Sequence, residues 1–310
     1  MNRLLFTIFV VLLVQPAFCQ LTYDNLEVNY DSAWTYKNLK VIPIRYKGPG
    51  SPGSGYLKSM VSFSQALKKG LITVQERGTS AIENVHWLSL YNNSDRNIFI
   101  SSGEILSGGR QDRMVSRDTI VHAKSGRIDL PVMCVEEGRW SERDKKFVYQ
   151  KMANIHVRKV LDQSKSQVQV WKEINNQLTL EKINSKTLSY LPKKTDKNAI
   201  KQHNDYLDFF LSKFQHSDSS IVGIVCISGD KIVGSDIFAA SNLFYGQLSS
   251  MLSGYIDEAE FFGTAPVLTN DAVRKYLDQF LTDEQTQEEF VKKNGKLFKA
   301  GGSVVHITTY

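Results

Sequence analysis

Residues 40–46 alternate between apolar and polar side chains with the two-residue period of a β-strand. The chain then enters Gly48-Pro-Gly-Ser-Pro-Gly-Ser-Gly55, its most flexible stretch, which reads as a loop or a lid. Ser62, with Gln65 three positions on, forms a capping box that predicts a short helix over residues 63–69, closed by Gly70. A strand over 71–76 follows. The β-rich runs 84–91 and 96–101 flank Asn92-Asn93-Ser94-Asp95 and predict a hairpin. Extended runs at 119–122 and 127–135 continue the pattern, so the first half reads as a sandwich or a strongly curved sheet.

A cap-like start at 141–144 marks a change of period. Val148, Met152 and Ile155 fall on one helical stripe and Val168, Trp171 and Ile174 on another, and Leu207, Phe210, Leu211 and Phe214 make a third apolar face. The turn dipeptide Gly229-Asp230 then joins two apolar runs, 221–228 and 231–238, in an expected hairpin. Leu243, Phe244, Leu248, Met251, Leu252 and Tyr255 are spaced for one further helix, and Val273, Leu277, Phe280 and Leu281 for the next. Residues 303–310 read as a terminal strand. The order β-rich, helical, mixed predicts an α+β fold and not alternating βαβ units. Its parts are residues 20–140, 141–220 and 221–310, packed as one unit.

Residues 1–19 stand apart from this pattern. Arg3 precedes an apolar run, Leu4 to Val14, interrupted by Thr7 alone and too short to span a membrane, and the run ends at Pro16-Ala17-Phe18-Cys19. We expect a signal peptide cleaved after Cys19, which places the protein in the periplasm or outside the cell with no transmembrane segment. The alternative, a lipoprotein acylated on Cys19, is disfavoured by the bulk of Phe18 where a lipobox takes a small side chain.

The 310 residues, 42% hydrophobic and 23% charged, exclude a disordered, collagen-like or coiled-coil chain. Of the formal charge of +6, most is local: residues 145–201 carry thirteen Lys or Arg against four acids. This segment suits either an anionic surface or a set of solvated helix faces. The segment does not make the aromatic-interleaved basic cluster of a nucleic-acid binder, so no nucleic-acid partner is expected. Cys134 and Cys226 remain after cleavage. An oxidising compartment permits them to pair, but the apolar run around Cys226 favours a buried thiol.

The densest polar, glycine-rich stretch is residues 103–113. Gly108 and Gly109 allow close backbone approach, and Arg110 and Arg113 offer planar forks for a carboxylate or phosphate. With Gln111 and Asp112 they form either an anion clamp or a tight turn whose arginines pair with Glu104 or Asp112. No Walker loop or dinucleotide fingerprint is present. Along residues 127–140, strand alternation would bring Glu136 to the rim of the core, and Pro131 implies an edge strand or a bulge. Glu136 or Glu137 is a candidate general base, Cys134 a candidate nucleophile or a packed thiol, and Arg139 with Trp140 a candidate cation–π or anchoring pair. The six histidines, 86, 122, 156, 203, 216 and 306, show no metal-ligand spacing, and no metal or cofactor is expected.

These two motifs carry a resemblance. Ala66-Leu67 before Gly70, Asn93-Ser94-Asp95, Gly103-Glu104, then Gly108 with Gln111-Asp112-Arg113, and finally Pro131-Val132, Cys134-Val135-Glu136 and Gly138-Arg139-Trp140 are similar to the pattern of the ARG and Rhodanese-Phosphatase-superfamily-associated Protein domain. The resemblance runs over roughly residues 40–260 and implies at most a nucleotide- or phosphate-related setting, through genomic company with ADP-ribosylglycohydrolase-like and phosphatase-like proteins. Export strains that implication, because free nucleotides are scarce outside the cell. The leading expectation is a polar or anionic ligand, or a protein partner, bound by Gly108–Arg113 together with Glu136, Arg139 and Trp140. A hydrolase or transferase on a phosphate- or sugar-containing substrate, with Glu136 as base and Arg110, Arg113 and Arg139 steadying anionic charge, is the second reading. A purely structural role for both motifs is the third.

Overall fold

In the computed structural model, which describes residues 20–48, 55–78, 85–141, 146–191, 197–214 and 218–310, the alternating run near the start becomes the strand Leu39–Tyr46. Its partner is Ile221–Ser228, from the far end of the chain. The expected leader, most of the glycine-proline loop, the cap at 142–144 and His216 lie outside the described residues. Ser62 accepts the Gln65 N–H as its capping box requires, and the helix Phe63–Lys68 ends before Gly70, whose φ of +66° suits glycine.

Among the described residues, eight α-helices and sixteen strands give an α+β fold with three sheets. The largest runs Leu26–Val28, Leu39–Tyr46, Ile221–Ser228, Lys231–Phe238, Ser303–Thr309, Gly295–Ala300, with Trp34–Tyr36 also paired to Leu39–Tyr46. A six-stranded sheet runs Val148–Met152, Glu104–Ser107, Arg113–Val115, Gly126–Cys134, Trp87–Asn92, Ile72–Glu76. The third holds Thr119–Val121, Ile98–Ile100 and Val61–Ser62. Strands from both ends of the chain therefore share the largest sheet, whose core takes in Val41, Ile224, Cys226, Phe238, Leu252 and Leu277. A second core packs Phe63, Leu90, Ile100, Leu106 and Leu130. On the opposite face of the six-stranded sheet, Ile105, Met114 and Val135 meet Val157, Leu161 and Ile174 of the helices Ile155–Ser164 and Gln167–Leu180.

Three expectations are corrected. Trp87–Asn92 and Ile98–Ile100 are not a hairpin but belong to different sheets. The Asn92 amide donates to the carbonyls of Arg96 and His122 while its oxygen accepts from Ser94, an Asx turn that throws the chain from one sheet to the next. Val148–Met152 is a strand on Glu104–Ser107, with Val148 exposed, and helix begins only at Ile155, where Asn154 caps the Val157 N–H. Gly126–Cys134 is not an edge strand. It pairs with Trp87–Asn92 up to Pro131 and with Arg113–Val115 from Val132 onward, so the imino residue sits where the strand changes partner. Among the later elements, the Gly229 hairpin and the helices Ser241–Phe261 and Asn270–Leu281 form as their patterns predict. The helix Glu284–Asn294 and strand Gly295–Ala300 had no counterpart in the sequence reading.

Cys134 and Cys226 are both buried free thiols, and burial raises the pKa of each. Thiol titration of the denatured, unreduced protein is expected to count both; a count of zero would mean that they pair. Among the described residues no helix is long and apolar enough to cross a membrane.

Candidate functional site

The two sequence motifs come together, and they face each other. Gly108 and Gly109 hold φ of +127° and +50°, and a Cβ on either would collide with the chain itself: with the Lys146 carbonyl oxygen at 2.6 Å, and with Glu76 and Phe147 at 2.4 Å. Into this turn Arg139 sends its guanidinium. It donates to the carbonyl oxygens of Gly109 and Ser141 (2.8 Å each) and of Gly108 (3.3 Å), and pairs with Glu136 at 2.6 Å and Asp112 at 3.3 Å. The Glu136 carboxylate also accepts from the Asp112 N–H at 3.2 Å and the Thr187 hydroxyl at 2.7 Å. The Gln111 amide donates to the Glu136 carbonyl oxygen, and Ser189 donates to Asp112. Arg113, fully buried, bonds Gln111 at 3.1 Å and lies 3.6 Å from Glu76, whose carboxylate also takes the Arg110 N–H. Trp140 stays about half exposed.

Burial raises the Glu136 pKa, but Arg139, Thr187 and the Asp112 N–H together reverse this and hold it below the usual carboxylate range. A carboxylate held low, with both oxygens engaged, is a weak base. Burial pushes the Cys134 thiol the other way, away from the thiolate a nucleophile needs.

A second cluster gathers residues that the sequence reading did not join. Where strand Thr119–Val121, the end of helix Ile155–Ser164 and edge strand Gly295–Ala300 meet, a cleft of about 880 Å³ opens. Arg117, Lys165, Lys292 and Lys296 line it, against the acids Asp118 and Asp162. Both acids are committed. Asp118 accepts from Lys296 at 2.5 Å and from the Ser102 N–H at 2.8 Å, and Asp162 accepts the Tyr310 hydroxyl. Arg117, Lys165 and Lys292 are exposed and carry no ion pair among the described residues; Arg117 stacks its guanidinium on Trp87. Ile120, Met133, Leu161, Leu297 and Phe298 supply apolar walls.

Behind the cleft runs a buried chain of charge. Asp118 and Asp236 lie 2.8 and 3.0 Å from the two ring nitrogens of His306, which stacks on Phe238. Arg158 grips Asp236 in a bidentate pair at 2.7 and 3.0 Å, and Tyr255 and Thr308 donate to the same carboxylate. Burial alone would raise both aspartates. Lys296 and His306 at Asp118, and Arg158 and His306 at Asp236, outweigh it and hold the two carboxylates well below their usual range. Gly103 gives Arg158 its path, because a Cβ there would lie 2.9 Å from the arginine Cγ. The signal available in the sequence was His306, set between the apolar Val304-Val305 and Ile307 of the terminal strand, with Thr308 on the far side of Ile307.

Among the described residues one group of metal-ligating type lies together: His203, Asp257 and Glu260. Fold and clusters thus define an α+β protein with one closed polar knot and one open, cation-rimmed cleft. The chain belongs to the ARG and Rhodanese-Phosphatase-superfamily-associated Protein domain family, whose model matches residues 27–306. No curated protein and no solved structure matches it.

Proposed function

We propose that this is an exported binding protein for a small anionic ligand with an apolar part, held in the cleft between Arg117, Lys165, Lys292 and Lys296. The observation that carries this reading is the charge balance of the cleft: its acids are bonded to protein groups, while three of its four cations are exposed and carry no ion pair among the described residues. Such cations favour a phosphate or carboxylate, and the apolar wall of Leu161, Leu297 and Phe298 favours a ligand with a hydrophobic or aromatic body. The Gly108–Arg113 and Glu136–Trp140 motifs then serve as the frame that fixes the six-stranded sheet and not as ligand contacts, since Gln111, Asp112, Glu136 and Arg139 bond to one another.

Thermal denaturation of the mature chain against inorganic phosphate, ADP-ribose, nucleotides and anionic glycans tests this. One class is expected to stabilise the protein, by about 2.7 kcal/mol at a hundredfold excess over Kd. A Lys165→Glu, Lys292→Glu double variant is expected to keep the unliganded melting point and lose the shift. No shift with any ligand, or an equal shift in the variant, would remove the cleft as the site. Intact mass of the secreted chain, with Gln20 as its first residue, tests export separately.

A further inference from the structure

Helix Lys197–Lys213 packs along helix Ser241–Phe261, and three residues of the latter, Ser253, Asp257 and Glu260, stand on one face at spacings of four and three. Opposite them is His203. Its Nδ1 lies 3.0 Å from Glu260 Oε2 and 3.4 Å from Asp257 Oδ1, and its Nε2 lies 2.9 Å from Ser253 Oγ. We propose that His203, Asp257 and Glu260 form a binding site for a divalent zinc-type ion, with water at the fourth position.

The geometry carries this in three ways. One ligand atom from each residue lies within 4.8 Å of the others. A tetrahedral ion with bonds of about 2.0–2.1 Å has its ligand atoms roughly 3.3 Å apart, so the separations of Nδ1 from the two carboxylates already match that edge. Ser253 Oγ, 2.9 Å from Nε2, is placed to accept from an Nε2–H once an ion takes the place of a proton on Nδ1, the outer hydrogen bond that orients metal-bound histidines. Lys151 pairs with Asp257 Oδ2, which leaves Oδ1 as the oxygen facing His203. The side chains of His203, Asp257 and Glu260 are 13, 4 and 7% exposed, closed enough to hold an ion and open enough to admit one. One nitrogen and two oxygens suit zinc better than calcium or magnesium, which take more oxygens. None of the three residues lies in the cleft or in the motif knot, so the site stands independently of the anion-binding reading.

The competing account is an imidazolium paired with two carboxylates, and metal titration separates the two. Chelator-treated full-length protein titrated with zinc chloride in a calorimeter is expected to bind one equivalent, more weakly at lower pH, where protons compete with the ion for the ligand atoms. His203→Gln and Glu260→Gln are each expected to lose at least tenfold in affinity, and Ser253→Ala, which removes only the outer hydrogen bond, roughly tenfold. Cobalt(II) in place of zinc is expected to give visible absorption bands that vanish in Glu260→Gln. Melting of each variant without metal checks folding, and Glu260→Gln, which keeps the side chain's shape and one acceptor oxygen, is expected to melt close to wild type. No saturable binding, or binding of equal strength in wild type and both ligand variants, would overturn the site.

Discussion

Arg139→Leu is expected to cost about 3–5 kcal/mol of stability, the usual penalty for breaking a buried ion pair from one side. Arg139 is 8% exposed, and its guanidinium serves three carbonyl oxygens and two carboxylates at once. Without it, Glu136 and Asp112 remain buried close together and lose the guanidinium that bonds both, and the Gly108–Gly109 turn loses a donor to its carbonyls. Arg139→Lys is expected to recover less than half of the loss, because an ammonium carries three donors and lacks the planar fork that reaches both sides of the turn. Urea unfolding is the measurement: the midpoint falls and the slope is unchanged. The fraction of Arg139→Leu that stays folded is expected to respond to cleft ligands as wild type does. Wild-type stability with a lost ligand shift would instead make Arg139 a ligand contact.

Glycine, arginine and carboxylate at close spacing describe an anion clamp and a self-satisfied turn equally well, because both need the same donors and acceptors; what distinguishes them is whether the acceptor is protein, and here it is Glu136, on a strand end whose proximity is not written in the spacing. The cleft was illegible for a related reason. Arg117, Lys165 and Lys292 are ordinary surface cations in sequence, and only the approach of Gly295–Ala300 to the end of Ile155–Ser164 gathers them. The His203 group was hidden likewise, since two of its members are a helical turn apart but the third comes from a different helix. What the sequence did carry was local physics: the Ser62–Gln65 cap, the Gly229 turn and the apolar stripe of Asn270–Leu281. It failed where two periods fit the same residues. Val148, Met152 and Ile155 satisfy a helical stripe, yet Phe147, Tyr149 and Lys151 are no less protected than a strand requires, and pairing with Glu104–Ser107 decided between them.

Glu104 sets the second large expectation, a stability that declines as the solution becomes more alkaline. Its carboxyl group is fully buried, and desolvation, with a further push from Asp118, outweighs the donors at Ser101, Tyr149 and Gln247 and raises its pKa to about 8. The folded state therefore keeps a proton that the unfolded chain releases near its ordinary value of 4.5. Stability associated with this proton is full below that value and is lost as pH climbs toward 8, by on the order of 5 kcal/mol in all. The buried aspartates act on the other side. Asp118 and Asp236, held low in the fold, contribute stability that is full above their unfolded pKa and lost as pH falls through their depressed folded values. Glu104→Gln keeps an acceptor for the Ser101 N–H and cannot ionise, so it is expected to flatten the decline between about pH 5 and pH 8 and to be more stable than wild type at pH 8, while leaving the acid limb intact. Chemical denaturation of both proteins across that range is the test. A wild-type stability that stays level from pH 5 to 8, or a Glu104→Gln protein that declines in parallel with wild type, would mean that Glu104 is already ionised in its buried site and that Tyr149 and Gln247 hold it as a carboxylate.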